Sequence, residues 1–297
     1  DSGFNDINHE KPFSQKILDW VPVDLYVGGA EHATMHLLYS RFIAKALKDL
    51  GYLSFDEPFK KLIHQGTITK DGYKMSKSKG NTVSPDKFIE QYGSDTFRIY
   101  LMFMGPYEDG GDWSDKGITG ISRFLLKIIK IVNSYDSKYE ADNKIVRLIH
   151  KTIKNVGNDL NQFKFNTAIS KLMELSNQLV KSEKSDEFTV KNLILMLAPF
   201  APHLSEELFD KTFNQSQSIF DLEWPNYIEE LTVSNEIVIA VQVNGKLRGN
   251  ITCLANLPKD KVIKLAKDLD NVKKYLSEGH LIKEIFVPNK IVNLVVK

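Results

Sequence analysis

With 297 residues, 42% of them hydrophobic and 26% charged, the chain has the make-up of an ordinary soluble protein of about two to three domains, each able to bury its own core. A net charge of +1 leaves no overall basic excess, so contact with nucleic acid has to rest on local patches. The single cysteine, Cys253, excludes an intrachain disulfide and a cysteine-cluster zinc site and fits a reducing, cytoplasmic setting; no apolar run is long enough to cross a membrane, and no targeting segment is recognisable.

Residues 1–19 are polar and read as an irregular tail. The first residue, Asp1, fits a processed or truncated chain. Val23–Val27 predicts a strand ending at Gly28-Gly29, followed by an amphipathic helix over 31–50. Tyr39, Phe42, Ile43, Ala46, Leu47 and Leu50 share its apolar face, and Gly51 stands where a helix C-terminal glycine belongs. Strand, glycine turn and helix form the unit of a nucleotide-binding α/β fold, in which ligands collect at the strand's carboxyl end. Gly28, Gly29 and Glu31 then have two readings. The glycines make the turn while Glu31 complements the helix dipole, or the glycines admit a nucleoside and the carboxylate accepts hydrogen bonds from its ribose. His32 and His36 lie one helical turn apart, but no third metal ligand is apparent, and they read as an ordinary histidine pair with no metal.

A second strand-like run, Lys61–Thr69, delivers the chain into residues 72–81, Gly-Tyr-Lys-Met-Ser-Lys-Ser-Lys-Gly-Asn. Lys74, Lys77 and Lys79 can converge on one anion, with Ser76 and Ser78 as neutral donors, while Gly72 and Gly80 let the segment close and reopen. Ser84-Pro85-Asp86 reads as a helix start, with Ser84 as N-cap. Helices are expected over 85–92 and 94–104, broken at Gly93, and the turn-rich acidic stretch 105–115 reads as a domain boundary. Four amphipathic stripes between 117 and 212, the last interrupted by Pro199 and Pro202, predict a helical bundle. Residues 214–235 read as a linker. Beyond them come a hairpin turning at Asn244-Gly245, a helix over 258–276 and two strands, 282–287 and 291–296. From Glu236 onward eleven Lys/Arg face six Asp/Glu, a basic module suited to RNA phosphates.

The pentamer Lys74-Met75-Ser76-Lys77-Ser78, continued by Lys79-Gly80-Asn81, resembles the signature loop of class I aminoacyl-tRNA synthetases. The Gly29-Ala30-Glu31-His32 segment is similar to the family's nucleoside-binding segment upstream of that loop. The stretch from Pro22 to His32, Phe103-Met104-Gly105-Pro106 and the run from Val241 to Gly249 look like the leucyl branch, and Leu197–Leu208 resembles a helix junction of its anticodon-binding bundle. The resemblance runs from about Lys16 to the end. It implies a multidomain fold: residues 1–115 as a partial, Rossmann-like α/β half of the catalytic domain, 116–225 as an α-helical bundle of anticodon-binding type, and 236–297 as a small α+β domain touching tRNA.

The implied activity is ligation of leucine to tRNA-Leu with ATP and Mg2+. Lys77 is then the principal catalytic contact to the leaving phosphates and Lys74 an auxiliary one. Ser76, Ser78, Met75, Gly29, Glu31 and His32 complete the ATP site, and Lys246 and Arg248 meet tRNA. His203 in the helix junction reads as structural. The family's first active-site motif, His-Ile-Gly-His, has no counterpart here, nor do its zinc-binding and editing insertions. The chain is therefore expected to be the C-terminal part or one subunit of the enzyme, inactive without an N-terminal catalytic half. The alternatives are a non-catalytic tRNA-binding subunit or paralogue, and another synthetase of the leucine, isoleucine and valine group.

Overall fold

A computed structural model describes residues 15–213, 217–233, 236–255 and 257–297. The tail read as irregular lies outside these residues up to position 14; its last part forms a short helix, α1 (Gln15–Leu18). Strands β1 (Tyr26–Gly28) and β2 (Leu62–His64) pair in parallel, with Gly28 opposite His64. The helix expected over 31–50 is interrupted. A five-residue 3-10 turn, Ala30–Thr34, comes first, Met35 departs from helical geometry (φ −121°, ψ −109°), and α2 (His36–Asp49) follows. The apolar face of α2 has the predicted period but little cover. Tyr39, Phe42, Ile43 and Leu50 are exposed, whereas Ala44 is buried. An open apolar groove of about 340 Å3 between α1 and α2 is lined by Leu18, Tyr39, Ile43, Leu47 and Phe55. Periodicity defines such a face without specifying what packs on it.

The run 61–69 is likewise not one strand. Gln65-Gly66 separates β2 from β3 (Thr67–Lys70), which belongs to a second sheet in the order β4-β3-β5. Strand β4 (Tyr73–Lys74) pairs antiparallel with β3. Helices α3 (Asp86–Tyr92) and α4 (Ser94–Phe103) part at Gly93, φ 85°. Strand β5 (Gly110–Trp113) lies within the stretch read as a turn-rich boundary and pairs in parallel with β3. The approach is so close that a Cβ at Gly66 would fall on the Gly110 backbone, and one at Gly110 on the Thr67 carbonyl. Two neighbouring residues of β5 serve different sides. Asp112 is exposed, while Trp113 is buried among Phe88, Phe97 and Tyr100.

The helices that follow are α5 (Ile118–Asn133), α6 (Asn143–Asn161), α7 (Phe165–Leu179), α8 (Glu187–Leu197) and α9 (Pro202–Phe213). Asp142 and Asp186 cap α6 and α8, their carboxylates accepting from Ile145 N–H and Thr189 N–H. The stripes meet in one core that includes Ile128, Ile153, Leu172, Ile194 and Phe209. The fourth stripe becomes two helices because Pro202 lacks an N–H and cannot continue α8. An aspartate of α4 supplies the cap that α9 needs: Asp95 accepts from Leu204 N–H at 2.7 Å and from His203 Nδ1–H at 2.8 Å.

The stretch read as a linker holds more structure than expected. Trp224 packs on the bundle core, Glu206 accepts from Ile219 N–H at 2.9 Å, and α10 (Glu229–Thr232) is a single turn. Residues 214–216 and 234–235 of that stretch lie outside the described ones. The chain divides into two compact units, Asp1–Asn226 and Tyr227–Lys297.

In the second unit, β6 (Glu236–Val243) and β7 (Lys246–Leu254) form the predicted hairpin, with Asn244 and Gly245 at φ 52° and 77°. The helix expected over 258–276 is split at Asp268-Leu269 into α11 (Lys259–Lys267) and α12 (Asp270–Glu278). Strands β8 (Leu281–Val287) and β9 (Ile291–Val296) complete a sheet of order β7-β6-β9-β8, in which β6 and β9 are parallel. Its core includes Val241, Val262, Ala266, Val272 and Leu294.

The β3–β5 contact makes Gly110 sensitive. A side chain there would meet both the Thr67 carbonyl and a positive φ of 79°, so Gly110→Ala should destabilise the first unit by about 2 kcal/mol or more. Denaturant unfolding checks this, and an unchanged midpoint would contradict the described packing.

Candidate functional site

The lysine loop begins as a tight hairpin. Asp71 and Gly72, at φ 54° and 76°, make a two-residue turn of the left-handed kind that strand twist favours. Lys74 on the return strand pairs with Thr69. Ser76 is extended, Lys77–Lys79 form one 3-10 turn, and Gly80 closes it in the left-handed region, φ 66°. Met75 before this turn and Val83 after it pack against the large core, so both ends of the loop are anchored. Asn81 braces the interior: its Oδ1 accepts from Ser76 N–H at 2.8 Å, and its Nδ2 donates to Lys74 C=O at 3.3 Å. The Ser76 and Ser78 hydroxyls share a hydrogen bond of 2.8 Å. Lys74, Lys77 and Lys79 are exposed, and none of them pairs with a carboxylate among the described residues. Beyond the loop, Ser84 Oγ accepts from Asp86 N–H at 3.4 Å. Helix α3 starts at Asp86, with Pro85 already helical, one residue later than the sequence indicates.

Such a loop can receive an anion with several charges. It offers flexible cations on an already shaped backbone, with no counterion to displace among the described residues.

The glycine corner is built differently from the sequence expectation. Glu31 lies in the 3-10 turn rather than at the N-terminus of α2, so an α-helix dipole is not what places it. Its carboxylate folds back over Gly29, where a Cβ would collide with it. Gly29 is buried and Glu31 exposed. Among the described residues the buried Nδ1 of His32 has no hydrogen-bond partner, an unusual state for such an atom. His36 shares a 2.9 Å hydrogen bond with the Tyr26 hydroxyl and stacks on its ring. Among the described residues no group of three His, Cys, Asp or Glu gathers as for a metal.

Backbone topology relates the corner to the loop. The Gly28 carbonyl accepts from Gln65 N–H at 3.4 Å, two residues before β3 begins. Strand β4 runs antiparallel to β3 and thus carries the chain back toward that end.

Two residues near the loop escape sequence reasoning, at least in their roles. Asn81 stands in the signature, which assigns it no function. Asp112 gives no local signal, because it reaches the loop only through the β3–β5 register, which sets it opposite Thr69. Its Oδ1 accepts from the Thr69 hydroxyl at 2.6 Å and from Gly72 N–H at 2.9 Å. These two bonds, the hydroxyl's first, hold the Asp112 carboxyl below the usual carboxylate range.

In the second unit Lys246 is exposed next to the hairpin turn. Arg248 is the extra residue of a β-bulge, since Val241 pairs with Gly249 and Gln242 with Leu247. Its guanidinium lies 4.4 Å from the centre of the Tyr275 ring. Arg248 therefore has a packing role beside any contact with a ligand.

Residues 1–114 match the family described as tRNA synthetases class I (I, L, M and V), and residues 142–263 match the anticodon-binding domain of tRNA ligase. Leucine–tRNA ligases of Petrotoga mobilis and Clostridium tetani are 46% and 45% identical, over 97% and 98% of this chain, and the one of Caldanaerobacter subterraneus is 44% identical over 97%. The chain spans 38% of the length of each of these curated relatives. A crystal structure of the Agrobacterium radiobacter K84 agnB2 LeuRS–tRNA–LeuAMS ternary complex superimposes with a TM-score of 0.69 at 35% identity, covering 96% of this chain and 40% of that one. Two family models in the expected order, together with this identity along nearly the whole chain, assign it to the class I tRNA synthetases, where its relatives are leucine–tRNA ligases.

Proposed function

We propose that the chain contributes the phosphate-binding and tRNA-binding parts of a leucine–tRNA ligase. The observation that carries this is the lysine loop: three exposed ammonium groups, paired with no carboxylate among the described residues, on a backbone braced by Asn81. In the proposed reaction the carboxylate of leucine attacks the α-phosphate of ATP, and pyrophosphate leaves. A ribose hydroxyl at the tRNA-Leu terminus then takes the leucyl group, and AMP departs.

The first step gathers negative charge on the departing phosphates, and positioned cations lower its barrier. Lys77, exposed on the 3-10 turn, is the principal contact and Lys74 an auxiliary one. The hydroxyls of Ser76 and Ser78 are neutral donors. Met75, whose side chain is taken up by the core, offers its backbone toward adenine. Gly29, Glu31 and His32 hold the nucleoside, and the unpaired His32 Nδ1 supports a ligand there. Mg2+ would come with the phosphate oxygens and neutralise part of their charge. Lys246 and Arg248 serve tRNA phosphates.

We further propose the division of labour 1–115 for catalysis and 116–225 and 236–297 for tRNA. The exposed face of α2, beside a parallel sheet of only two strands, is where the remaining catalytic half docks, whether on the same polypeptide or as a separate subunit. Parallel sheets are stable when both faces are covered.

Leucine-dependent ATP–pyrophosphate exchange, run with this chain alone and with that half supplied, tests the reading. The isolated chain should bind tRNA weakly and show no exchange, and complementation should restore it. Tight tRNA binding without rescue would favour a non-catalytic tRNA-binding subunit, and exchange with valine or isoleucine instead of leucine another synthetase of the group. In the active ligase, Lys77→Ala should lower kcat for adenylate formation by about 100-fold, with a smaller change in ATP affinity. Weakened ATP binding at unchanged kcat would remove Lys77 from this role.

A further inference from the structure

We propose that Asp112 is a positioning residue for the lysine loop: from a neighbouring strand it fixes the hairpin that aims Lys74 and Lys77. The inference rests on the reading of that loop as the phosphate site. Asp112 belongs neither to the loop nor to the signature around it; forty residues separate Gly72 from Asp112. The register Thr69↔Asp112 brings it beside the turn, and one oxygen, Oδ1, accepts from both the Thr69 hydroxyl and Gly72 N–H. These groups flank the turn that sets the hairpin's direction. Thr69 is the residue directly opposite Lys74, and Gly72 is the second turn residue, with φ 76°. Holding both fixes the point from which the chain proceeds to Met75, Ser76 and Lys77.

The carboxylate has no other visible task. Among the described residues it pairs with no cation, and it is exposed, so it does little for the core. Trp113 beside it, buried among Phe88, Phe97 and Tyr100, gives the strand its fixed footing. The preference for an oxygen acceptor at this place follows from the donors that meet it. Asparagine keeps Oδ1 and can satisfy both, whereas alanine leaves the Gly72 N–H to water and the Thr69 hydroxyl with only the weaker 3.4 Å bond to the Gly111 carbonyl.

The test compares Asp112→Ala, Asp112→Asn, Thr69→Val and Lys77→Ala in a ligase competent for exchange that carries this sequence. Asp112→Ala should lower kcat for adenylate formation by about 10- to 100-fold, the cost of a small misplacement of reacting groups, while KM for ATP and the melting midpoint stay close to those of the parent. Asp112→Asn should recover most of the loss. Thr69→Val, which removes only one donor, should act in the same direction and more weakly, and carries the test should Asp112→Ala not fold. Trypsin should cut after Lys74, Lys77 and Lys79 faster in Asp112→Ala than in the parent. An unchanged kcat in Asp112→Ala alongside an impaired Lys77→Ala overturns the role of Asp112 and leaves the phosphate reading standing. A harmless Lys77→Ala overturns the phosphate reading itself. A fall in kcat matched by a fall in melting midpoint, or an Asp112→Asn variant as defective as Asp112→Ala, also overturns the proposal.

Discussion

The parallel pairing of β3 with β5 is the constraint on which the first unit's functional geometry depends. It is only four residue pairs long, Thr67↔Gly110 to Lys70↔Trp113, yet it joins two parts of the chain that share no local signal. Alternation along β5 then divides its side chains. Trp113 enters the rings of Phe88, Phe97 and Tyr100, where each aromatic pair contributes roughly 0.5–1.5 kcal/mol beyond burial. Asp112, one residue earlier, holds the turn of the hairpin. Small residues are required at the crossing itself, because Gly66 and Gly110 approach backbone to backbone.

The other end of the loop is tied to the bundle. The chain leaves the loop through Val83 and α3, turns at Gly93, and enters α4, whose first turn carries Asp95. That carboxylate is buried and caps α9 across the interface, and Arg98 one turn further donates to Pro199 C=O at 3.4 Å. An unpaired carboxylate at such a place would be costly, and the paired one fixes α4 against the α8–α9 junction. By comparison, the exposed ion pairs on α2, such as Arg41 with Glu57 and Lys48 with Asp56, add little, as surface pairs generally do. Burial, capping and one short strand pairing therefore anchor the loop, and charge is left free at its tip.

What was legible in the sequence follows from range. The Asn244-Gly245 hairpin, the proline break between α8 and α9, and the apolar stripes of α5 to α7 are set by neighbours within a few residues, and each is found where the pattern places it. The break at Met35, the division of 61–69 at Gln65-Gly66 and the split at Asp268-Leu269 are tertiary choices that override a continuous period. Strand β5 is hidden for a stronger reason: Gly110-Gly111-Asp112 has poor strand propensity, and only the partner β3 makes it a strand. The α2 face shows the opposite failure. Tyr39, Phe42 and Ile43 announce burial, and the described residues of this chain leave each of them more than half exposed. In the site, the lysines and Asn81 stand in one contiguous signature, whereas Asp112 depends on a register that sequence alone does not display.

The arrangement also explains why a loop of lysines can serve a highly charged ligand without a preformed cage. Ordering a residue's backbone costs about 1–2 kcal/mol, and immobilising a lysine side chain costs up to about 2 kcal/mol more. From Thr69 to Asn81 the backbone part is met on folding, through the turn held by Asp112, the Asn81 brace and the half-buried Met75. On the function proposed above, only side-chain freedom remains to be lost when phosphate arrives. It is lost most where charge builds up, so the attraction grows toward the transition state rather than being fully developed in the bound substrate. A lysine already paired with a carboxylate would have to break that pair first. The exposure of Lys74, Lys77 and Lys79 is thus what differential stabilisation of a leaving pyrophosphate requires, and the anchoring around them is what makes that exposure compatible with a defined direction.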